Sequence, residues 1–473
     1  MVAAELGPWV RETDAADVVA SLAKALRQLG HGVSIAAPRY PGFETGGLML
    51  ARRLTPLPLP GGGEVTVFDG HLPSGVQLVL FDAPVLYDRP GAYGEGDSDY
   101  ADNAKRFGLL SQAAAALVRQ RAQQGQAYDV VHVHDYPAAL VPIALRRLPG
   151  PAVPTVLTIH DGTRQGSFPA AQLEALGVAG EGDVDEGLML DGRVNLLKAG
   201  VVFADAITTV SPTYARELRS AERTSALARV FEETGKEVVG ILNGIDYAVY
   251  NPATDTQLTS RYDAEDPSNK GRSKTQLLRD LELDLELERP LVALLGPLTK
   301  AKGADIVGAA LPAMLRHDLS FVAAGSGPES LCSKLAPDKR HENRSALLQA
   351  PSEAQLRRAF AAADIVLVAS RHEPCGITQL VAERYGAVPV AHATGGILDT
   401  IVDCDAALET GTGFLFDELS QAGLIGALER ALAAYASEAW PRLRRRVMRL
   451  DLGWDRPARR YLQIYRHSLA AAG

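Results

Sequence analysis

Along this chain, apolar residues gather in short unbroken runs instead of alternating with polar ones. VSIAAP, VQLVLFD, VVHVHD, TVLTIHD, AITTVS and VVGILNG occupy the first half. After residue 285 the rhythm restarts with PLVALLG, LSFVAAGSG, ADIVLVAS, AVPVAHATGG and GFLF. Runs of this kind suit strands buried on both faces. The segments between them carry helical spacing, as in ADVVASLAKALRQLG, which Gly30 closes. Strand and helix in alternation predict βαβ units and parallel sheets. The two series part at residues 243–271, where Asn, Pro, Asp and Ser accumulate as in a domain crossover. Two Rossmann-like, doubly wound α/β domains follow as the expectation, residues 1–245 and 250–448, facing each other across a cleft. PLPLPGGGEV reads as a loop ahead of a strand. The basic run WPRLRRRVMRL reads as the solvated face of a helix, ahead of a last amphipathic stretch, DRPARRYLQIYRHSLAAA.

In sheets of this type ligands bind outside the carboxyl ends of the strands, so each strand end is a candidate site. VVHVHD places His132 and His134 on one side of a strand, because strand side chains alternate. A metal would need a third ligand that the sequence does not supply, and Asp135 fits the role of cap for the next helix. TIHDGTRQG repeats the pattern with His160 and Asp161. AAGSG brings Gly325 and Gly327, and ATGG brings Thr394, Gly395 and Gly396, each between a strand and a helix. Backbone N–H groups in such turns can cradle a diphosphate, although a tight turn alone would look the same.

SRHEPCGITQL is the most informative stretch. Glu373 precedes Pro374, and Gly376, Ile377 and Thr378 open a helix whose N–H groups and dipole attract phosphate oxygens. A carboxylate beside an anion site suits sugar hydroxyls, the combination that a nucleotide-sugar transferase requires. Glu383, farther along that helix, reads as a solvated residue.

Composition narrows the field. A net charge of −9 over 473 residues argues against nucleic acid or an anionic membrane as partner. The three cysteines, Cys332, Cys375 and Cys404, lack metal-ligand spacing and suggest a reduced, cytoplasmic protein without disulfides. No run is long enough for a membrane span. The start, MVAAELGPWVRETD, lacks the basic region of a signal peptide and begins inside what reads as the first strand, so a few upstream residues are expected.

At this point the chain resembles bacterial glycogen synthases and plant starch synthases, retaining glucosyltransferases of the GT-B fold. LFDAPVLYDRPGAYGEGDSDYADNAKRFGLLSQAA, VVHVHDYPAAL, TIHDGTRQG, NLLKAGVVFADAITTVSPTYAREL, VVGILNGIDYAVYNPATD, SRHEPCGITQLVAERYGAVPV and ATGGILDT carry the resemblance. GWDRPARRYLQIYR matches the family's closing helix, so residues 449–473 are expected to cross back to the first domain.

The resemblance implies transfer of glucose from ADP-glucose to the non-reducing end of an α-1,4-glucan, with retention, no metal and no cofactor. It implies catalytic roles for Glu373, His134 and Lys302 (in GPLTKAKG). Arg11, Cys375, Gly376, Ile377, Thr378, Thr394, Gly395, Gly396 and Gly325 would lie on the donor side. Asp102, Asn103, Arg106 and His160 would lie on the acceptor side.

Three positions depart from the family. Arg11, Glu12, Thr13, Asp14 and Ala15 stand where it carries Lys-Thr/Val-Gly-Gly-Leu, so Asp14 brings negative charge to a glycine loop. Pro297 replaces an Arg, the natural bidentate partner of phosphate. Val85 stands where relatives often have His or Tyr. Two other readings therefore remain open. One is a weak or inactive GT-B homologue that binds glucan or assists a true synthase. The other is a transferase using another nucleotide sugar.

Overall fold

The computed structural model describes residues 1–95, 98–178 and 183–472. The chain forms two compact units: Met1–Asn243 joined by the segment from Trp454 onward, and Gly244–Gly453.

The first unit is built on a sheet whose parallel strands are Val238–Gly240, Ala206–Thr209, Thr155–Ile159 and Val131–His134, in that spatial order. Val2 bridges Val133 on one side and Ala36 on the other, both in parallel, so the first residues connect this set to Ser34–Pro38 and Gln77–Asp82. Glu64–His71 and Leu50–Arg52 then extend the sheet as antiparallel strands. These two do not follow the βαβ rhythm. Glu64–His71 shows the half-buried alternation of a strand with one solvated face.

From Trp454 the chain packs on the helix Ala15–Gln28. Trp454, Ala458 and Tyr461 of the returning segment join Val18, Leu22, Leu26 and Ile241 in one buried cluster. The Tyr465 hydroxyl lies 2.8 Å from Nδ1 of His132.

The second unit holds six parallel strands in the order Ser345–Gln349, Ser320–Gly325, Leu291–Leu295, Ile365–Val368, Val388–His392, Phe414–Phe416. Numbered along the chain this is 3-2-1-4-5-6, the doubly wound dinucleotide-binding order. The unbroken apolar runs now have a reason. Val292 and Leu294 enter the core on one face, whereas Leu291, Ala293 and Leu295 enter the core on the other. The order reverses between Leu291–Leu295 and Ile365–Val368, which opens a crevice at their carboxyl ends.

The basic run near residue 445 is more than a solvated face. Arg444 pairs with the buried Asp364 at 3.1 Å, and Arg446 donates to the carbonyls of Leu408, Glu409, Thr410 and Gly411. Among the described residues, no helix is long and apolar enough to cross a membrane.

Candidate active site

In the second unit, the turn after Leu291–Leu295 carries Lys302 and the turn after Ile365–Val368 carries Glu373, the two loops flanking the switch point. The Lys302 ammonium sits 2.9 and 2.8 Å from the two oxygens of Glu373. Ser370 donates its hydroxyl to Glu373 Oε2 at 2.8 Å. The glutamate side chain is 3% exposed and the lysine 30%. One end of the pair is therefore fixed, while the other can still meet a ligand. His392 holds the same loop through a 2.7 Å bond from its ring Nδ1–H to the Ser370 carbonyl, and Arg371 clamps it by a bidentate bond to Asp305.

The glycines predicted for phosphate contact do a packing job. A Cβ on Gly395 would lie 2.1 Å from the Glu373 carbonyl oxygen, and one on Gly396 would lie 2.5 Å from that of Cys375. The Gly396 N–H donates to the Glu373 carbonyl at 2.9 Å. The 394–396 turn is thus pressed against the glutamate's own turn, an approach only glycine permits. Gly325 is tighter still: its Cβ would sit 1.7 Å from the Gly296 carbonyl oxygen, so it seats the Pro297 turn. Gly376 caps the helix Ile377–Arg384, with Ile377 and Thr378 half-buried at its start. Cys375 and Thr394 are buried beside it, and among the described residues Thr394 Oγ1 has no partner.

In the first unit, His134 and His160 come together at the ends of neighbouring strands, ring nitrogens 3.0 Å apart. The rings of His132 and His134 lie 4.1 Å apart. Burial holds all three imidazoles neutral, pushing His160 down to about 3 and the other two well below the usual value. Nε2 of His134 has no partner among the described residues.

Asp135 is not the expected helix cap. Its backbone is left-handed, φ 54°, and its carboxyl accepts the N–H of His160 at 2.7 Å. Loss of solvent, with Asp161 and Glu5 adding like charge, pushes it up to about 8. A strained acid at the histidine pair is a site residue that sequence reasoning missed.

Glu5 was also missed. It is 1% exposed and accepts the backbone N–H groups of Glu12 and Thr13 at 2.7 and 2.9 Å, the Tyr93 hydroxyl at 2.9 Å and the Thr13 hydroxyl. Two of the loop's N–H donors are therefore used internally. Arg11 forms an ion pair with Asp17 at 2.7 Å, and Asp14 is exposed. Val85 is exposed as well.

Asn103 and Arg106 are 1% and 0% exposed. Arg106 donates to the carbonyls of Leu86 and Ala92 and to Asn103, which donates to the Tyr93 carbonyl. They brace the loop from inside, and among the described residues Arg106 Nη2 has no hydrogen-bond partner. Asp102 stays near the surface in a bidentate pair with Arg89.

Glu383 does not lie on a solvated helix face. It is 0% exposed, because the helix Ile377–Arg384 is packed on several sides where a solvated face was expected. Among the described residues, no three His, Cys, Asp or Glu side chains are grouped to hold a metal ion.

A doubly wound second unit with a lysine–carboxylate pair at its switch point, and a first unit with buried histidines at its strand ends, define a glycosyltransferase of the GT-B class. Residues 1–233 match the family described as starch synthase catalytic domain, and residues 281–446 match glycosyl transferases group 1. The chain is 39% identical to a glycogen synthase of Anaeromyxobacter sp. (strain Fw109-5), covering 99% of each protein. It is 40% identical to one of Ralstonia nicotianae, over 98% of this chain and 87% of that one. The catalytic domain of starch synthase IV from Arabidopsis thaliana, bound to ADP and acarbose, superposes with a TM-score of 0.89 at 31% identity, covering 99% and 98% of the two chains. A sucrose-phosphate synthase of Thermosynechococcus elongatus, at 16% identity and TM-score 0.59, shares the fold. The chain belongs to the glycogen synthase family.

Proposed function

We propose that this enzyme transfers glucose from ADP-glucose to the non-reducing end of an α-1,4-glucan with retention of configuration. The observation that carries the reading is the Lys302–Glu373–Ser370 cluster at the switch point. Lys302 neutralises the departing diphosphate, and Glu373 stabilises positive charge as it develops at the donor sugar. On the first unit, His134 Nε2 is buried without a partner among the described residues and is the ring atom left for a sugar hydroxyl, and Asp135, its pKa pushed up to about 8 by loss of solvent, can donate as well as accept while it holds its proton. The ADP held by the Arabidopsis relative supports the choice of nucleotide. Three buried cysteines without a disulfide go with a cytoplasmic setting.

The Glu5 contacts favour a second reading, a weak homologue. With the N–H groups of residues 12 and 13 engaged, the first-unit loop contributes less to an anion. The deciding experiment incubates the protein with ADP-glucose or UDP-glucose plus glycogen, and follows nucleotide diphosphate release and glucan growth. Turnover with ADP-glucose supports the proposal. Turnover with UDP-glucose alone reassigns the donor, and no turnover with either leaves the weak homologue.

A further inference from the structure

Glu383 is fully buried, and neither of its carboxyl oxygens has a partner among the described residues. One helical turn earlier lies Gln379, also fully buried, whose Oε1 has no partner either. Its amide nitrogen is fully used. Nε2 donates to the Cys375 carbonyl at 3.0 Å and to the Thr400 hydroxyl at 3.1 Å. The Thr400 hydroxyl in turn donates to the Gly396 carbonyl at 2.9 Å. Gln379 therefore ties the turn that opens the Ile377–Arg384 helix to the 394–396 turn, the two strips of backbone around Glu373. A Cβ on Gly376 would meet its Oε1 at 2.2 Å, so the amide lies directly on the helix-capping residue.

Long side chains in a helix point toward its N-terminus and cover the residue four positions back. Glu383 and Gln379 therefore share one face of the helix a turn apart, and both carry unpartnered acceptor oxygens in a buried setting. Two acceptors cannot bond unless one carries a proton. A buried carboxylate with no cation or donor takes one up to avoid the cost of desolvation.

We propose that Glu383 is a neutral carboxylic acid whose O–H donates to Gln379 Oε1, and that this bond positions the paired turns that receive the donor diphosphate. Burial, which holds the group well above the usual carboxylate range, is consistent with this. Glu383 is a positioning residue: it acts through Gln379 and touches no substrate. The role in binding rests on the donor-side reading given above, whereas the proton and the side-chain pair do not.

The test uses the full chain with E383L, E383Q, Q379L and the double variant E383L/Q379L. Leucine removes the acid without leaving a charge but strands Gln379 Oε1 without a donor, so E383L should fold and be only modestly less stable than wild type. It should nevertheless bind ADP about three- to tenfold more weakly by calorimetry, the worth of one net hydrogen bond. With turnover, the loss should appear in donor KM more than in kcat. E383Q, which keeps a donor, should restore most of the affinity. In the Q379L background the leucine should add nothing. The infrared difference spectrum of wild type minus E383Q at neutral pH should show the carbonyl stretch of a protonated acid.

Wild-type ADP affinity in E383L overturns the proposal. So does an E383Q as weak as E383L, an undiminished leucine effect in Q379L, or absence of the acid band. Should E383L fail to fold, the infrared band of the folded E383Q and wild-type proteins decides. A wild type that turns over no nucleotide sugar while the band and the pair coupling persist would reject the synthase reading and leave this bond standing.

Discussion

Glu373 is held from two directions, by an ammonium and by a hydroxyl, and its removal should separate chemistry from folding. Glu373→Gln keeps the shape and one hydrogen bond. Turnover should fall about a hundredfold or more, the usual cost of lost preorganised charge, while circular dichroism stays unchanged. Lys302→Met leaves a buried carboxylate without its cation, held by the Ser370 hydroxyl. Because the lysine is partly in water, the stability cost should be roughly 1–2 kcal/mol, below the full penalty for a broken buried pair. Urea denaturation checks it.

Two neighbours should show opposite pH signatures. Asp135 has a raised folded-state pKa, about 8, so its contribution is present below the ordinary aspartate range and is lost as pH rises through 8. Asp135→Asn should therefore gain stability relative to wild type between pH 5 and 8.5, by on the order of a few kcal/mol. His160 is depressed to about 3. Its contribution is present above the ordinary histidine value near 6.5 and is lost as pH falls toward 3. His160→Gln should gain on wild type in acid. Unfolding free energies at pH 4.5, 6.5 and 8.5 read both.

At the scale of elements, loops at strand ends are fixed by backbone touching backbone. Gly325→Ala drives a methyl into a carbonyl oxygen on the neighbouring turn, and neither side is a flexible side chain. The expected cost is about 1–3 kcal/mol or more, with a lower thermal midpoint and a displaced Pro297 turn. Gly426 has nothing within 4 Å of such a methyl. Gly426→Ala should be stabilising by a few tenths to 1 kcal/mol, because it sits inside the helix Gln421–Tyr435. Calorimetry of the two variants side by side checks the contrast.

These elements also show what could be read from sequence. The strands Leu291–Leu295 and Ile365–Val368 were legible because every residue in them faces a core. Glu373 was legible because a lone acid at a strand-to-helix turn is conspicuous. Glu5, and the role of Asp135 beyond a cap, were not, since both accept from backbone N–H groups across loops and Glu5 also from hydroxyls that no local spacing links to it. Glu383 was misplaced because acidic residues default to the surface, and only packing reveals a helix enclosed on several sides. The depth of Arg106 was not legible, because a buried guanidinium bonded to carbonyls and a surface one look alike in one dimension. The order 3-2-1-4-5-6 follows from pairing, which no local run of residues encodes.

At the scale of the whole molecule, the first unit depends on the helix Asp455–Ala472. Tyr461 is fully buried between it and Ala15–Gln28. Tyr461→Ala should cost about 3–5 kcal/mol, lowering the first unit's unfolding transition in a calorimetric scan and leaving the second unit's in place. Tyr465→Phe removes only the bond to His132 and should cost about 0.5–1.5 kcal/mol.

That returning helix sets an order of events during synthesis. As the ribosome releases the chain, the first unit emerges early with Val18, Leu22 and Leu26 still lacking their cover. The second unit is contiguous, so it can be finished while the first waits. Until the segment from Trp454 leaves the exit tunnel, the nascent protein carries an apolar stripe in search of a partner. Such a stripe is a natural holding point for a chaperone, and a ribosome stalled shortly before Trp454 would display it permanently.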